Sequence, residues 1–197
     1  MQKDILEFNI AIFGVGGQGL VTLIKILAQT AFLAGFNVKT SEFHGLSQRG
    51  GSVEAHVRFG RNEIFSPVTP CKKANLVFAL ESQEALSSAD LLSPKTFILI
   101  NSYQFPTLSE SVTTENVMIK LKKFTKNVLL ISAACACEES FGTIAPSGVY
   151  MLGFALEKNL IPIEAENLLE AIKEVIPLKH QDINVKAFDM ARKEAKK

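Results

Sequence analysis

The sequence predicts an α/β protein: a Rossmann-like, mostly parallel sheet with helices on both faces, one hairpin or edge-strand insertion, and helices at the C-terminal end. Three observations lead there. An apolar run, FNIAIF (8–13), passes straight into the glycine-rich GVGGQG (14–19) and then into a helical pattern, the order of a βαβ unit. Apolar runs of strand length alternate with helical patterns between residues 75 and 132, as in a parallel sheet threaded through crossovers. Beyond residue 132 helical periodicity takes over.

FNIAIF has the length and uniform apolarity of a strand buried on both faces. Behind the glycines, Gln18, Thr22, Lys25 and Gln29 fall at helical spacing with mostly apolar residues between them, so this helix shows water one narrow stripe. Gly35 ends it as a C′ residue does. FNVKTSE (36–42) reads as the second strand of the βαβ unit, with a right-handed crossover expected. A helix is due next, and HGLSQRGG (44–51) stands there instead, a tight loop with two adjacent glycines behind an arginine. VEAHVRF (53–59) then alternates strictly: Val53, Ala55, Val57 and Phe59 face one way, Glu54, His56 and Arg58 the other. That is the pattern of a strand covered on one side only. Gly60, Arg61 and Asn62 offer a turn, and IFSPVTP (64–70) is expected to return as a short edge strand ended by Pro67 and Pro70, which lack an N–H. Alternation resumes with NLVFAL (75–80), a helix near 82–92, TFILIN (96–101), a helix near 114–123 and NVLLIS (127–132), for five or six main strands. Ala165, Leu168, Leu169, Ile172 and Val175 recur at i, i+3, i+4 and i+7 in an amphipathic helix that Pro177 stops.

A chain of 197 residues fits one domain, 1–197, and buries about 70% of its unfolded surface. No repeat, low-complexity segment or linker divides it. No apolar run approaches the ~18 residues of a membrane span, and MQKDILEFN lacks the basic-then-apolar layout of a signal peptide. The expectation is a soluble, cytoplasmic protein that meets no membrane. The formal charge is +1, and the one basic segment, ARKEAKK, reads as a solvated helix end rather than a nucleic-acid footprint. Cys71, Cys135 and Cys137 are expected to be reduced thiols. They supply neither the four thiolates of an iron–sulfur cluster nor, with the scattered His44, His56 and His180, a zinc set, so no metal site is expected.

Gly14, Gly16 and Gly19, with Gly17 between them, satisfy G-x-G-x-x-G between a strand and a helix, where backbone N–H groups can approach a pyrophosphate. A dinucleotide site also wants an acidic residue at the end of the second strand. Lys39, Thr40 and Ser41 occupy that place, with Glu42 just beyond. The loop therefore reads either as a cofactor site or as a structural or anion-binding turn. Gln18 either offers its amide to the cleft or belongs to the solvated stripe. Arg49, between Gln48 and the pair Gly50 and Gly51, either clamps a phosphate or carboxylate with its planar fork or bridges the loop to a neighbouring carboxylate. His44 either donates to a ligand or partner or satisfies backbone. Glu54, His56 and Arg58 form a face suited to a subunit contact or simply to solvent.

The combination of GVGGQG (14–19), KTSEFHGLSQRGGSVEAHVRFG (39–60) and a proline-flanked IFSPVTP resembles the gamma-type subunit of 2-oxoacid:ferredoxin oxidoreductases. Within that family it looks closest to the beta subunit of indolepyruvate:ferredoxin oxidoreductase. The resemblance spans nearly the whole chain, and SEFHGLSQRGGSV is its most specific block. It loosens after Leu130, where relatives carry an aspartate in a "DA" step and this chain has Ser132 and Ala133.

The resemblance implies an oxidoreductase complex that decarboxylates a 2-oxoacid to an acyl-CoA, using thiamine diphosphate with Mg²⁺, iron–sulfur (4Fe–4S) clusters and coenzyme A, and passing electrons to ferredoxin. This chain carries no GDG signature for thiamine diphosphate and no ferredoxin cysteine pattern. The resemblance thus implies that the chain holds no catalytic residue and none of these cofactors alone, is inactive alone, and serves a large subunit that carries them. Its own work would be to close the active site and help admit coenzyme A. The glycine loop would then be a Rossmann-like turn reused near an anion or a subunit seam. A homodimer through Glu54, His56 and Arg58 is a further expectation. The rivals are a gamma subunit serving pyruvate, 2-oxoglutarate or ketoisovalerate, a purely structural scaffold, and, from another class, a stand-alone nucleotide-binding Rossmann module.

Overall fold

The computed structural model describes residues 5–45, 51–105 and 112–196. Among them six strands form one sheet in the order β2-β3-β1-β4-β5-β6: β1 Phe8–Val15, β2 Asn37–His44, β3 Ser52–Gly60, β4 Leu76–Ala79, β5 Phe97–Asn101 and β6 Val128–Ile131. β1, β4, β5 and β6 pair in parallel, and β3 runs antiparallel to both of its neighbours, β1 and β2. The sheet is thus Rossmann-like and mostly parallel, as its strand–helix alternation predicts.

Period-2 alternation assigns the strand residues to two cores. Ile10 and Ile12 of β1, with Val53, Ala55, Val57 and Phe59 of β3, lie under α1 (Leu20–Leu33), α4 (Ser147–Glu157), α5 (Ala165–Val175) and α6 (Leu178–Ala195). Ala11 and Phe13 face the other way, toward a 3₁₀ helix (Gln83–Leu91) and α2 (Thr114–Leu121). α3 (Ala133–Phe141) joins the first core through Ala133 and Cys137. α1 ends where the sequence places its stop, with Gly35 N–H on Phe32 O and Phe36 N–H on Ala31 O, the paired bonds of a Schellman closure. The helix expected near 82–92 is this 3₁₀ helix; Ser88 turns its hydroxyl back onto Ala85 O at 2.6 Å, a local bond that competes with a regular helix.

Two expectations are corrected. The inserted hairpin is β2–β3, and residues 64–70 form no strand. Their carbonyls are spent elsewhere: Arg58 Nη1 donates to Ser66 O at 2.7 Å and Val68 O at 3.1 Å, while Pro67 and Pro70 have no N–H for a ladder. The Glu54, His56 and Arg58 face of β3 is also covered. His56 is 1% and Arg58 6% exposed, because residues 64–70 lie across this face and β3 is an inner strand. The premise of an open face for a homodimer fails for His56 and Arg58; Glu54 alone keeps a substantially exposed side chain, at 38%.

Candidate functional site

The glycine loop leaves the C-terminal end of β1 and starts α1. Gln18 folds back so that its Oε1 accepts from Val15 N–H at 2.8 Å. That oxygen lies 2.7 Å from where a Cβ on Gly14 would stand, and Leu80 Cβ is 3.2 Å from the same point, so a side chain at Gly14 would push the Gln18 amide off its bond to Val15 N–H. Gly17 and Gly19 adopt φ of +103° and +79°, with nothing within 4 Å of an added Cβ, leaving open space beside the helix start. No acidic residue sits in the first turn of α1, so its positive end is uncompensated.

This loop floors a cleft of about 290 Å³ at the C-terminal ends of β1, β4 and β5, walled by Leu80, Asn101, Tyr103, Phe105, Ala134, Ile144, Ala145 and Ser147. Open α/β sheets bind ligands at this end. A second cavity of about 340 Å³ shares Gln18, Gly19 and Ala145 with it and extends between α1, α4 and the α5–α6 junction, past Thr22, Pro146, Pro177, His180 and Asn184. Among the described residues the first cleft is lined by no carboxylate, thiol or imidazole. Its chemistry is that of N–H donors, neutral amides and apolar walls, which can orient and enclose an anionic or elongated ligand.

The predicted residues are partly gathered. Gly16 N–H donates to Gly51 O at 2.9 Å, and Val15 lies opposite Ser52, so the base of the HGLSQRGG loop adjoins the glycine turn. Gln48, Arg49 and Gly50 lie outside the described residues. Gln18 is a closing strut of the loop through its oxygen, and its side chain still borders both cavities. His44 is not brought to the cleft. It ends β2 with an exposed side chain, 3.3 Å from Glu42, and β3 separates it from β1. His56 is buried, with Nε2 3.1 Å from Glu54 Oε1 but outside hydrogen-bonding geometry, so both ring nitrogens lack a hydrogen bond. Arg58 is an interior clamp: Nε donates to Asn9 Oδ1 at 2.7 Å and Nη2 to Glu7 Oε1 at 2.6 Å.

Sequence reasoning missed residues just past the strand ends. Asn101, closing β5, donates to Leu80 O at 3.2 Å and accepts from Ala134 N–H at 3.2 Å. It thereby caps α3, whose own N-cap Ser132 makes no side-chain cap bond. Glu81, after β4, is buried and accepts from Glu84 N–H at 2.9 Å and Phe105 N–H at 3.3 Å. Glu84 in turn accepts from the Ser52 hydroxyl; burial, more than the Glu81 charge, holds its carboxyl above the ordinary value, against the lowering effect of Ser52. Position after a parallel strand is the signal that marks these residues.

An iron–sulfur cluster does not fit the cysteines. On α3 Cys135 is exposed and Cys137 buried, Cys71 is exposed on a separate segment, and the described residues hold no group of three or more metal-binding side chains. No helix among them is long and apolar enough to cross a membrane.

A Rossmann-like sheet with an antiparallel strand set between β1 and β2, and a glycine turn opening onto a cleft of neutral donors, defines the class of protein. The chain belongs to the pyruvate ferredoxin/flavodoxin oxidoreductase family, which it matches over residues 9–194. It is 35% identical over 196 residues to the indolepyruvate oxidoreductase subunit IorB of Archaeoglobus fulgidus, covering 96% of each chain. With the pyruvate/ketoisovalerate oxidoreductases common subunit gamma of Pyrococcus furiosus it shares 29% over 163 residues, 82% of each chain. In fold it is similar to the keto/oxoacid ferredoxin oxidoreductase gamma subunit of Geobacter sulfurreducens, with TM-score 0.70 at 19% identity over 95% of this chain and 98% of that one. It is also similar to a 2-oxoglutarate:ferredoxin oxidoreductase from Magnetococcus marinus, solved with 2-oxoglutarate, coenzyme A and succinyl-CoA bound, with TM-score 0.73 at 17% identity over 97% of this chain and 31% of that one. The chain is a small oxidoreductase subunit of the IorB type.

Proposed function

We propose that residues 1–197 form one domain that serves as the redox-centre-free subunit of a cytoplasmic thiamine-diphosphate-dependent 2-oxoacid:ferredoxin oxidoreductase acting on indolepyruvate or a related arylpyruvate. In that role it closes the active site and guides coenzyme A during oxidative decarboxylation to an acyl-CoA. The carrying observation is the cleft itself. Gly17 and Gly19 leave room beside an uncompensated helix start, where an anionic group is stabilised, and two cavities of about 290 and 340 Å³ adjoin there, with Gln18, Gly19 and Ala145 in the lining of both. Their lining contributes donors and enclosure, the part a protein plays when a cofactor supplies the reactivity. Thiamine diphosphate with Mg²⁺, held by the partner, supplies the electron sink, and the partner's iron–sulfur clusters lead electrons to ferredoxin. Indolepyruvate is preferred over pyruvate because the likeness to the IorB subunit is stronger and longer than that to the common gamma subunit.

The sheet order tells against a stand-alone dinucleotide module. The ribose-holding acid of such a module ends the strand that follows the glycine-loop helix and pairs with β1 about 5 Å away, whereas here that strand is β2 and β3 sets its end roughly 10 Å from β1. The test is Gly19→Asn in the assembled enzyme, since Gly19 stands at φ +79°, a conformation that asparagine tolerates and a β-branched residue does not. Its side chain would fill the open space beside the helix start, and KM for coenzyme A should rise roughly tenfold or more while the isolated variant keeps the far-UV circular dichroism of the wild type. An unchanged KM in a folded variant, or micromolar NAD(H) binding by the wild-type chain, would count against the reading.

A further inference from the structure

Among the described residues β2 is an edge strand eight residues long, about 26 Å at strand rise. Gly45 N–H bonds Ser52 O at 3.1 Å, and antiparallel bonding alternates. Asn37, Lys39, Ser41 and Phe43 therefore bond inward to β3, and Val38, Thr40, Glu42 and His44 aim their backbone N–H and C=O outward. Native edges are usually guarded by proline, a bulge or free lysines. Here the register with β3 is unbroken, no proline interrupts the strand, and its one lysine, Lys39, is turned onto Phe65 O at 3.4 Å.

Large apolar side chains flank this edge on both faces of the sheet. On the α1 face Phe32 is 66% exposed and borders a shallow groove with Val38. On the other face Phe43 is 49% and Phe65 82% exposed, and the Lys39 bond holds the Phe65 backbone beside the strand. A strand added here would place alternate side chains against each pair. A second copy of β2 fits poorly, because it would bring Asn37, Lys39 and Ser41 to Phe43 and Phe65, and Thr40, Glu42 and His44 to Phe32 and Val38. The fitting occupant is an extended segment apolar on both faces. In the Magnetococcus marinus relative this fold is 31% of one longer chain, so there it lies within a polypeptide able to supply such a segment.

We infer that the β2 edge is the docking line of the larger subunit, which adds an extended segment with apolar side chains on both faces as a seventh strand. The inference rests on the proposed function. The experiment co-expresses the chain with its cognate thiamine-diphosphate subunit and compares hydrogen–deuterium exchange of residues 37–44 in the free and assembled chain. Thr40→Pro is tested beside it, since proline removes an outward N–H and leaves the inward ladder with β3. Exchange at the outward amides should slow about tenfold or more on assembly, and Thr40→Pro, folded alone as the wild type by circular dichroism, should weaken association about tenfold or more. A complex in which residues 37–44 exchange as in the free chain, or in which folded Thr40→Pro binds normally, would overturn the docking line and leave the functional reading standing. A free chain that dimerises through β2 would replace the occupant with a second copy and so overturn it. Failure of the two subunits to associate at all would overturn both.

Discussion

Arg58→Ala separates an interior clamp from a surface contact. The Arg58 side chain is 7% exposed and ties β3 to Asn9 Oδ1 and to the carbonyls of Ser66 and Val68. Removing it leaves these three acceptors without their charged donor in a poorly hydrated setting. Glu7 is 44% exposed and rehydrates, so its part of the loss is at most ~1 kcal/mol. Charge-assisted bonds contribute about 1.5–3 kcal/mol each when isolated, but the acceptors share one donor and regain water as the segment loosens, so the whole loss is about 3–4 kcal/mol. For a chain of this size that lowers Tm by roughly 10 °C. Hydrogen bonding from Asn9, then the Arg58 guanidinium, holds the Glu7 carboxyl below its ordinary 4.5. A lowered carboxyl contributes stability above its unfolded value and loses it as pH falls through the folded value, so the deficit of Arg58→Ala should narrow below about pH 4.5. Urea unfolding of the wild type, Arg58→Ala and Arg58→Met, above and below about pH 4.5, is the assay. A loss under ~1 kcal/mol would refute the clamp.

Gly153 of α4 has Phe188 O only 2.4 Å from an ideal Cβ. Gly153→Ala should therefore destabilise by about 2 kcal/mol or more despite a helix-propensity gain near 1 kcal/mol; wild-type stability in urea would show that α4 and α6 can part. Glu84, with its carboxyl raised mainly by burial, contributes stability below its ordinary value and loses it as pH rises through the folded one. Glu84→Gln should accordingly gain stability relative to wild type between about pH 4 and pH 7, and a relative loss would contradict this. Burial pushes the Cys137 thiol up to about 11, and the hydrogen bond to Glu139 with its charge raises the exposed Cys135 thiol, whereas Cys71 is exposed without that neighbour; native labelling with a disulfide reagent should show Cys71 fast, Cys135 slower and Cys137 revealed only on unfolding, and a fast Cys137 would show the inner face of α3 open.

β1, α1, β4, β5 and β6 were legible because each announces itself locally, by an apolar run or a helical stripe. The position of β3 was not. Strand order depends on pairing between distant segments, and nothing in VEAHVRF says that it intervenes between β1 and β2. Glu54, His56 and Arg58 read as a solvated face since periodicity records polarity, whereas the burial of Arg58 depends on Glu7, Asn9 and two carbonyls that only the fold assembles. In the site, the glycine turn and Gly51 were readable from backbone chemistry. The closing bond of Gln18 and the cap from Asn101 to α3 were not, because each depends on side-chain direction, although the strand-end position of Asn101 was a usable cue.

The most direct test of the central claim is a titration of the purified cognate thiamine-diphosphate subunit with this chain, following 2-oxoacid- and coenzyme A-dependent reduction of a viologen dye. The account predicts no reduction by this chain alone, slow reduction by the partner alone with its site open to water, and a rise that saturates at one chain per partner with indolepyruvate as the best acid. Turnover by the chain unaided, or a partner equally fast without it, would contradict the account.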